Sequence, residues 1–147
     1  MSAGSYAEFA LARLRERGFR ITRGRRLVVS ELAAMDRPLS PYAIHDRLAG
    51  RGEAVDTVSI YRTLDTLEEN GLAHRVSFLG GYLACRLEHD AGCHHHLICR
   101  ACQKVVEVHC PGMAAVERGA AADSQFRIEQ HLVEFVGLCP ECQQTAS

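Results

Sequence analysis

The 147-residue sequence predicts an α+β protein of two domains, residues 1–84 and residues 85–147. Two observations predict this division. The first 84 residues contain no cysteine and show four stretches of helical periodicity followed by an alternating hairpin pattern. The remaining residues hold all seven cysteines and six of the eight histidines, which is typical of a small α/β domain stabilised by a metal. A chain of this length is too short for the large barrel and doubly wound enzyme folds.

Four helices are predicted in the first domain, each by a repeat of apolar residues and a terminal signal. Thr22 caps the start of the second helix. Ser40 followed by Pro41 begins the third, because proline at the first helical position has no N–H that needs a partner. Residue 56 or 57 begins the fourth. The predicted helices span residues 6–18, 23–35, 41–49 and 57–70.

The fourth helix has a narrow apolar stripe and a face of short polar side chains. Ile60, Leu64 and Leu67 recur at helical spacing and are predicted to be buried. An arginine can donate to guanine or phosphate, and serine and threonine can contact base edges or backbone oxygens without needing space. The polar face therefore fits a DNA groove, and a face that only contacts solvent is the alternative. The polar residues are Ser59, Arg62, Thr63 and Thr66.

A β-hairpin is predicted directly after the fourth helix. Two alternating segments flank Gly80-Gly81, which is a strong short-range hairpin pattern. With a two-residue loop, His74 lies opposite Leu87 and diagonal to Cys85 on the same face, where both side chains are within reach of one metal ion. The predicted strands span residues 73–79 and 82–87.

The helices and the hairpin, in this order, predict a winged helix-turn-helix domain. In such a domain the recognition helix lies in the major groove and the wing contacts the DNA backbone. The front of the chain is basic, since the first 30 residues hold seven arginines against two glutamates. This charge is available for phosphate contacts.

Two Cys-x-x-Cys pairs are the strongest metal signal in the chain. Each pair can ligate one ion from a tight turn, and two pairs complete a tetrahedral shell with no open position. The pattern therefore predicts a structural zinc site with four cysteine ligands, and closed coordination argues against catalysis. The 36 residues between the pairs must fold as a small subdomain, and four unligated or oxidised thiols are the alternative. The pairs are Cys99 with Cys102 and Cys139 with Cys142.

A second metal site is predicted from the histidine run before the first cysteine pair. In a strand, alternation sends His94 and His96 to one side. If residues 104–108 return as the next strand, Glu107 lies opposite His94. His74 and Cys85 can be brought to this second metal site from the hairpin.

The order of these motifs resembles the ferric uptake regulator (Fur) family, and the resemblance covers nearly the whole chain. It rests on residues 59–64, 94–107, 131 and 137–142. It implies a homodimer whose N-terminal halves bind palindromic double-stranded operator DNA and whose C-terminal halves dimerise, with metal binding favouring the DNA-competent arrangement. It also implies DNA contacts by Tyr61 and Arg62, and by Arg25 near the start of the second helix.

Departures from the iron-sensing pattern favour one branch of the family. Pro38 stands where iron-sensing members have a hinge histidine. Ala114 stands where they have an acidic residue, which leaves His95 and His131 short of a partner. The second metal site resembles the sensing site of the zinc uptake regulator (Zur) branch, with His74, Cys85, His94, His96 and Glu107 as ligands and Cys93 in reserve. A thiolate ligand suits zinc better than ferrous iron. The resemblance implies a zinc-responsive repressor of zinc uptake genes, with iron-, manganese- or peroxide-responsive regulators as alternatives.

Other classes of protein fit the sequence less well. Zinc deaminases need a His-x-Glu element and zinc proteases need His-Glu-x-x-His, and the sequence contains neither. A metal buffer would not explain the groove-facing helix. No apolar run is long enough for a membrane helix, and the first residues lack the order of a secretion signal. We therefore expect a cytoplasmic regulator that binds no small organic substrate.

Overall fold

The computed structural model describes residues 2–86 and 94–145. The chain divides into two compact units, Met1–His89 and Asp90–Ser147, so Cys85 belongs to the first unit. The elements of the first unit are α1 (Ala3–Glu16), α2 (Arg23–Ala34), α3 (Pro41–Ala49), α4 (Thr57–Glu69), β1 (Ala73–Val76) and β2 (Gly81–Ala84).

The helices begin where their capping residues predict. Oγ1 of Thr22, Oγ of Ser40 and Oδ1 of Asp56 each accept a hydrogen bond from the backbone N–H three residues later, at 3.2, 3.1 and 2.9 Å. These bonds satisfy N–H groups that have no partner inside the helix. The first helix begins earlier than predicted, at Ala3, because Ser2 provides its cap.

One apolar core is enclosed by the four helices and the hairpin, and it contains the predicted stripe of α4. A buried carboxylate lies beside this core. Glu31 of α2, which is 2% exposed, accepts a hydrogen bond from Nε of Arg47 on α3 at 2.7 Å and forms an ion pair with Arg51. These contacts connect α2 to α3 in the helix-turn-helix. The core includes Tyr6, Leu14, Leu32, Ile44, Leu48, Ile60, Leu64 and Leu67.

The predicted register of the hairpin is wrong. His74 faces Leu83, four residues before its predicted partner, and the turn spans residues 77–80. Gly81 lies in β2 rather than in the turn, where this strand passes close to the backbone of Leu39. A Cβ at Gly81 would lie 2.9 Å from the carbonyl carbon of Leu39. Because the error is an even number of residues, each residue keeps its predicted face of the hairpin.

A three-stranded sheet and two helices form the described part of the second unit. The strand order is β4-β3-β5, with β3 antiparallel to β4 and parallel to β5. The small subdomain expected between the cysteine pairs is thus made of two strands and a helix. The elements are β3 (His94–Cys99), β4 (Val105–His109), α5 (Met113–Ser124), β5 (Glu134–Gly137) and α6 (Pro140–Thr145).

The predicted pairing of β3 with β4 is wrong by two residues. Glu107 lies opposite His96, not opposite His94, which pairs with His109. The connection between the strands is longer than expected because it closes around the first cysteine pair. The N–H of Cys99 donates to the carbonyl oxygen of Lys104 at 2.9 Å. The even shift again leaves the alternation of faces unchanged.

Few apolar side chains of the second unit are buried. In its described part, the buried apolar residues are Ile98 and Cys99, and neither α5 nor α6 contributes any. Leu97, Val106 and Phe135 are paired across the sheet and lie on one face, where each is 43 to 45% exposed. This unit therefore needs a metal or a partner surface for its stability. None of the helices in the described ranges is long and apolar enough to span a membrane.

Candidate metal centres and nucleic-acid interface

Four cysteines of the second unit converge at one end of its sheet. Cys99 ends β3 and Cys102 lies in the turn after it, while Cys139 and Cys142 lie at the start of α6. One sulfur from each lies within 4.8 Å of all the others. The sulfurs of Cys102 and Cys139 are 3.7 Å apart, close to the roughly 3.8 Å expected of two thiolates about 2.3 Å from one zinc ion. This group fits a closed tetrahedral zinc site.

The four thiols differ in pKa because they lie close together. Backbone hydrogen bonds from Cys102 and Cys139 lower the pKa of the Cys99 thiol to about 6. The side-chain hydrogen bonds with Cys139 and Cys99 raise the pKa of the Cys142 thiol to about 12. One thiolate therefore forms readily, while a fully deprotonated set requires a cation that neutralises the remaining sulfurs.

The paired strands β3 and β4 bring a histidine and a carboxylate together. His96 Nε2 lies 3.9 Å from Glu107 Oε1, and the two side chains are only 4% and 11% exposed. This separation is too long for a hydrogen bond between the two groups but is near that of two ligands of one cation. His94 begins β3 on the same strand, and Cys93 lies outside the described residues.

The wing of the first unit carries the other two predicted ligands. His74 lies on β1, and Cys85 follows β2 directly. The N–H of Cys85 donates to the carbonyl oxygen of Leu72 at 3.0 Å, which extends the pairing of the hairpin by one step. By alternation His74 and Cys85 share a face as diagonal neighbours. Cys85 is fully buried and His74 is half-buried.

A second histidine group lies in the second unit around His95. The rings of His95 and His131 stack at 5.1 Å between centroids, and Nδ1 of His131 forms a close hydrogen bond with the carboxylate of Glu117 on α5. His95 is buried, and neither ring nitrogen has a hydrogen-bond partner among the described residues. Burial, and then the imidazole of His131, lower the pKa of His95, so its neutral, ligating form is favoured.

Glu117 corrects the expectation that Ala114 leaves these histidines without an acidic partner. It follows Ala114 by three residues on α5, and residues three apart lie on the same helix face. This three-residue spacing could have indicated Glu117 from the sequence as the acidic partner of His131. The donor atoms of His95, His131 and Glu117 do not all lie within 4.8 Å of one another, so the structure shows a paired histidine and carboxylate beside a buried histidine rather than a preformed cation site.

The polar face of α4 agrees only partly with the predicted DNA contacts. Arg62 is exposed and Tyr61 is 39% exposed. Thr63 is buried, at 5% exposure, which corrects its assignment as a DNA contact. It lies three residues after Ile60 and therefore falls on the buried stripe. The hydroxyl of Ser59 donates to the carboxylate of Asp56 at 2.6 Å, so Ser59 stabilises the start of α4.

Arg25 at the start of α2 folds back onto the preceding loop. Its guanidinium carbon lies 5.6 Å from the ring centroid of Phe19, a cation–π contact. Its Nη1 donates to the carbonyl oxygen of Arg20 at 2.6 Å. The side chain is half-buried in this position, and its guanidinium is held at the basic front of the first unit.

Comparison with known protein families and sequences gives consistent results. The model of the ferric uptake regulator family matches residues 16–136. The peroxide operon regulator of Bacillus subtilis is 32% identical over 136 residues, covering 92% of each chain. A ferric uptake regulation protein of Neisseria meningitidis serogroup A is 31% identical over 136 residues, covering 90% of this chain and 92% of the relative.

Solved structures are similar over the full length. A zinc uptake regulator complexed with zinc and DNA matches with a TM-score of 0.88 at 25% identity, covering 99% of this chain and 98% of that one. This similarity covers both compact units of the chain. Together with the family match over most of the sequence, it shows that the chain belongs to the ferric uptake regulator family of metal-responsive regulators.

Proposed function

We propose that this protein is a zinc-responsive transcriptional repressor, which binds palindromic operator DNA as a homodimer when zinc is bound and controls zinc uptake genes. The observation that carries the choice of zinc is the placement of Cys85 beside His74 on one face of the wing. A thiolate next to imidazole ligands suits zinc better than ferrous iron or manganese. The similarity to a zinc uptake regulator solved with zinc and DNA supports the same choice.

Two zinc ions per subunit have different roles in this proposal. The four-cysteine group holds a structural ion that stabilises the second unit. The regulatory ion takes its ligands from both units, so that its binding restricts their relative motion. The protein has one arrangement that binds DNA and one that does not. Zinc increases the population of the DNA-binding arrangement only to the extent that it binds that arrangement more tightly. The regulatory ligands are His74, Cys85, His94, His96 and Glu107, with Cys93 as the reserve.

The sheet of the second unit supports the proposed homodimer. The exposed side chains of Leu97, Val106 and Phe135 line an apolar groove of about 350 Å³ that also reaches Leu138. Exposed apolar surface of this kind favours association with another protein surface. Two copies of one chain would cover this groove symmetrically. The dimer would hold its two recognition helices apart by one DNA turn, roughly 34 Å, or by a multiple of it.

Tyr61 and Arg62 are the proposed base and phosphate contacts of α4. Both residues are exposed on the N-terminal half of the helix, which is the part that contacts base edges in helix-turn-helix proteins. Ser59 and Arg25 would contact the DNA backbone from the ends of α4 and α2. We place this activity in the cytoplasm and assign no enzymatic step to the chain.

The probe for this test is a DNA duplex that the protein selects from a random pool in excess zinc. We expect zinc to tighten binding to this duplex, and iron and manganese to do so less. Equal affinity in metal-loaded and metal-stripped protein would contradict metal sensing. Cys85→Ser is expected to abolish the zinc response in a protein that remains folded.

An iron-, manganese- or peroxide-responsive regulator is the second candidate. Sequence similarity favours it, because a peroxide operon regulator and a ferric uptake regulation protein are among the similar proteins, at 32% and 31% identity. A response to manganese or iron that survives Cys85→Ser but is lost in His131→Ala would support this candidate over zinc sensing.

A further inference from the structure

We propose that Arg86 is a positioning residue that transmits zinc binding at Cys85 to α2 of the DNA-binding unit. This inference rests on the proposed zinc-responsive function and adds the route by which the wing ligand acts on the helix-turn-helix. It is carried by a set of contacts that no motif in the sequence indicates.

The guanidinium of Arg86 reaches the C-terminal end of α2. Its Nη2 donates to the carbonyl oxygens of Ala33 and Met35, at 2.8 and 3.1 Å. Its Nη1 lies 3.4 Å from Oδ1 of Asp36, and the Arg86 side chain is only 28% exposed. Three acceptors on one short segment are therefore bound by a single side chain.

These contacts satisfy a need of α2 that its own sequence does not meet. The last carbonyl groups of a helix have no partner inside it, and their partial negative charge favours a cation. The last turn of α2 contains no basic residue. Arg86 supplies the cation from the far end of the wing. Its planar group carries donors in fixed directions, so it serves several acceptors at once, which a lysine ammonium does less well.

Cys85 connects this contact to the proposed metal site. Its side chain is fully buried, and its N–H donates at 3.0 Å to the carbonyl oxygen of Leu72. The same oxygen accepts the hydroxyl of Tyr6 at 2.6 Å. Cys85 is thus held tightly on one side and joined to Arg86 by a planar peptide bond on the other. If zinc binding shifts the position of Cys85, Arg86 must therefore move with it, or the contacts of Arg86 must oppose the shift.

From the end of α2 the route to DNA is short. α2 packs directly against α4, which carries the proposed DNA contacts. Packed helices move as rigid bodies with discrete arrangements rather than by continuous deformation. The contiguous path is therefore Cys85, Arg86, α2 and α4, and it lies wholly within the first unit.

Arg86→Met tests this path, because it removes the donors and keeps much of the apolar stem. The DNA probe is the duplex selected with the wild-type protein. The measured quantity is the affinity of zinc-saturated protein for this duplex, divided by the affinity of protein that retains only its structural zinc. Couplings of this kind are about 5-fold to 150-fold. We expect the Arg86→Met ratio to fall at least about fivefold. Its zinc affinity without DNA, measured by chelator competition, should stay within about threefold of wild type.

Arg17→Met is the matched control. Nη1 of Arg17 donates to the carbonyl oxygen and to Oδ1 of Asn70, at 3.2 and 2.6 Å. This is the same kind of contact at the end of α4, whose last turn also lacks a basic residue, but Arg17 adjoins no proposed ligand. Arg17→Met should therefore keep the wild-type ratio. Arg86→Lys, which preserves the charge, should fold and lower the ratio.

The outcomes separate this inference from the function on which it rests. If wild type responds to zinc and Arg86→Met or Arg86→Lys responds equally, the inference is overturned and the proposed function stands. If Arg17→Met loses the response to the same extent, the effect is general destabilisation and the inference is also overturned. If wild type itself shows no zinc response, the proposed function fails together with the inference.

Discussion

Replacing Cys99 with serine is expected to unfold the second unit and to leave the first unit folded. In the described part of the second unit, the buried apolar residues are Ile98 and Cys99. Full burial of a side chain such as isoleucine contributes about 1.5–3 kcal/mol, whereas a structural zinc ion contributes about 10–16 kcal/mol to a small domain. The proposed structural ion would therefore be the largest stabilising contribution, and loss of a thiolate that lies within 4.8 Å of three others would weaken its binding.

Segment-resolved hydrogen exchange together with zinc analysis measures this effect. We expect β3, β4 and β5 to lose protection in Cys99→Ser, while α1 to α4 keep it. A strong chelator should have the same effect on the wild-type protein. Cys110→Ser is the matched control, because Cys110 is half-buried in the same unit and lies outside the four-sulfur group. Wild-type protection and full structural zinc in Cys99→Ser would refute the reasoning.

Three further predictions concern the first unit. Glu31→Gln should lower the free energy of unfolding by about 1.5–3 kcal/mol in urea titrations, because charge-assisted hydrogen bonds to two half-exposed arginines are lost; an unchanged midpoint would contradict this. Gly81→Ala should cost about 1–3 kcal/mol in the same assay, since its Cβ would lie 2.9 Å from the backbone of Leu39, and a neutral result would show that the strand moves freely. Hydrogen bonds from Ser59 lower the pKa of Asp56, so the cap of α4 should be complete above the unfolded pKa, about 3.9, and be lost as pH falls through the folded value. The protection factor of the Ser59 amide, which removes the intrinsic pH dependence of exchange, should therefore fall at low pH in wild type and be small at all pH values in Asp56→Ala.

Local features of the fold could be predicted from the sequence because they depend on near neighbours. The caps at Thr22, Ser40 and Asp56 involve a side chain and a backbone group three residues away. The buried stripe of α4 follows from helical periodicity alone. The cysteine pairs predict a shared site because each pair already forms a compact turn, and the structure brings the four sulfurs together.

Strand registers could not be predicted from their turns. Both predicted pairings were wrong, by four residues at His74 and by two at Glu107. The hairpin depends on the approach of β2 to Leu39, and the second pairing depends on the longer turn of the first cysteine pair. Both errors were even, so neither changed the alternation of faces along the strands.

The sequence by itself determined the four helices of the first unit, the alternation of faces along the strands and the grouping of the two cysteine pairs, since these follow from short-range periodicity and spacing. The helices α5 and α6 of the second unit were not predicted. Only the tertiary structure decided which distant groups complete each contact. It brought Glu117 to His131 and Arg86 to the end of α2, and it buried Thr63. Such contacts depend on how separate elements pack against each other, and packing is set by the shapes of the whole unit rather than by any one segment.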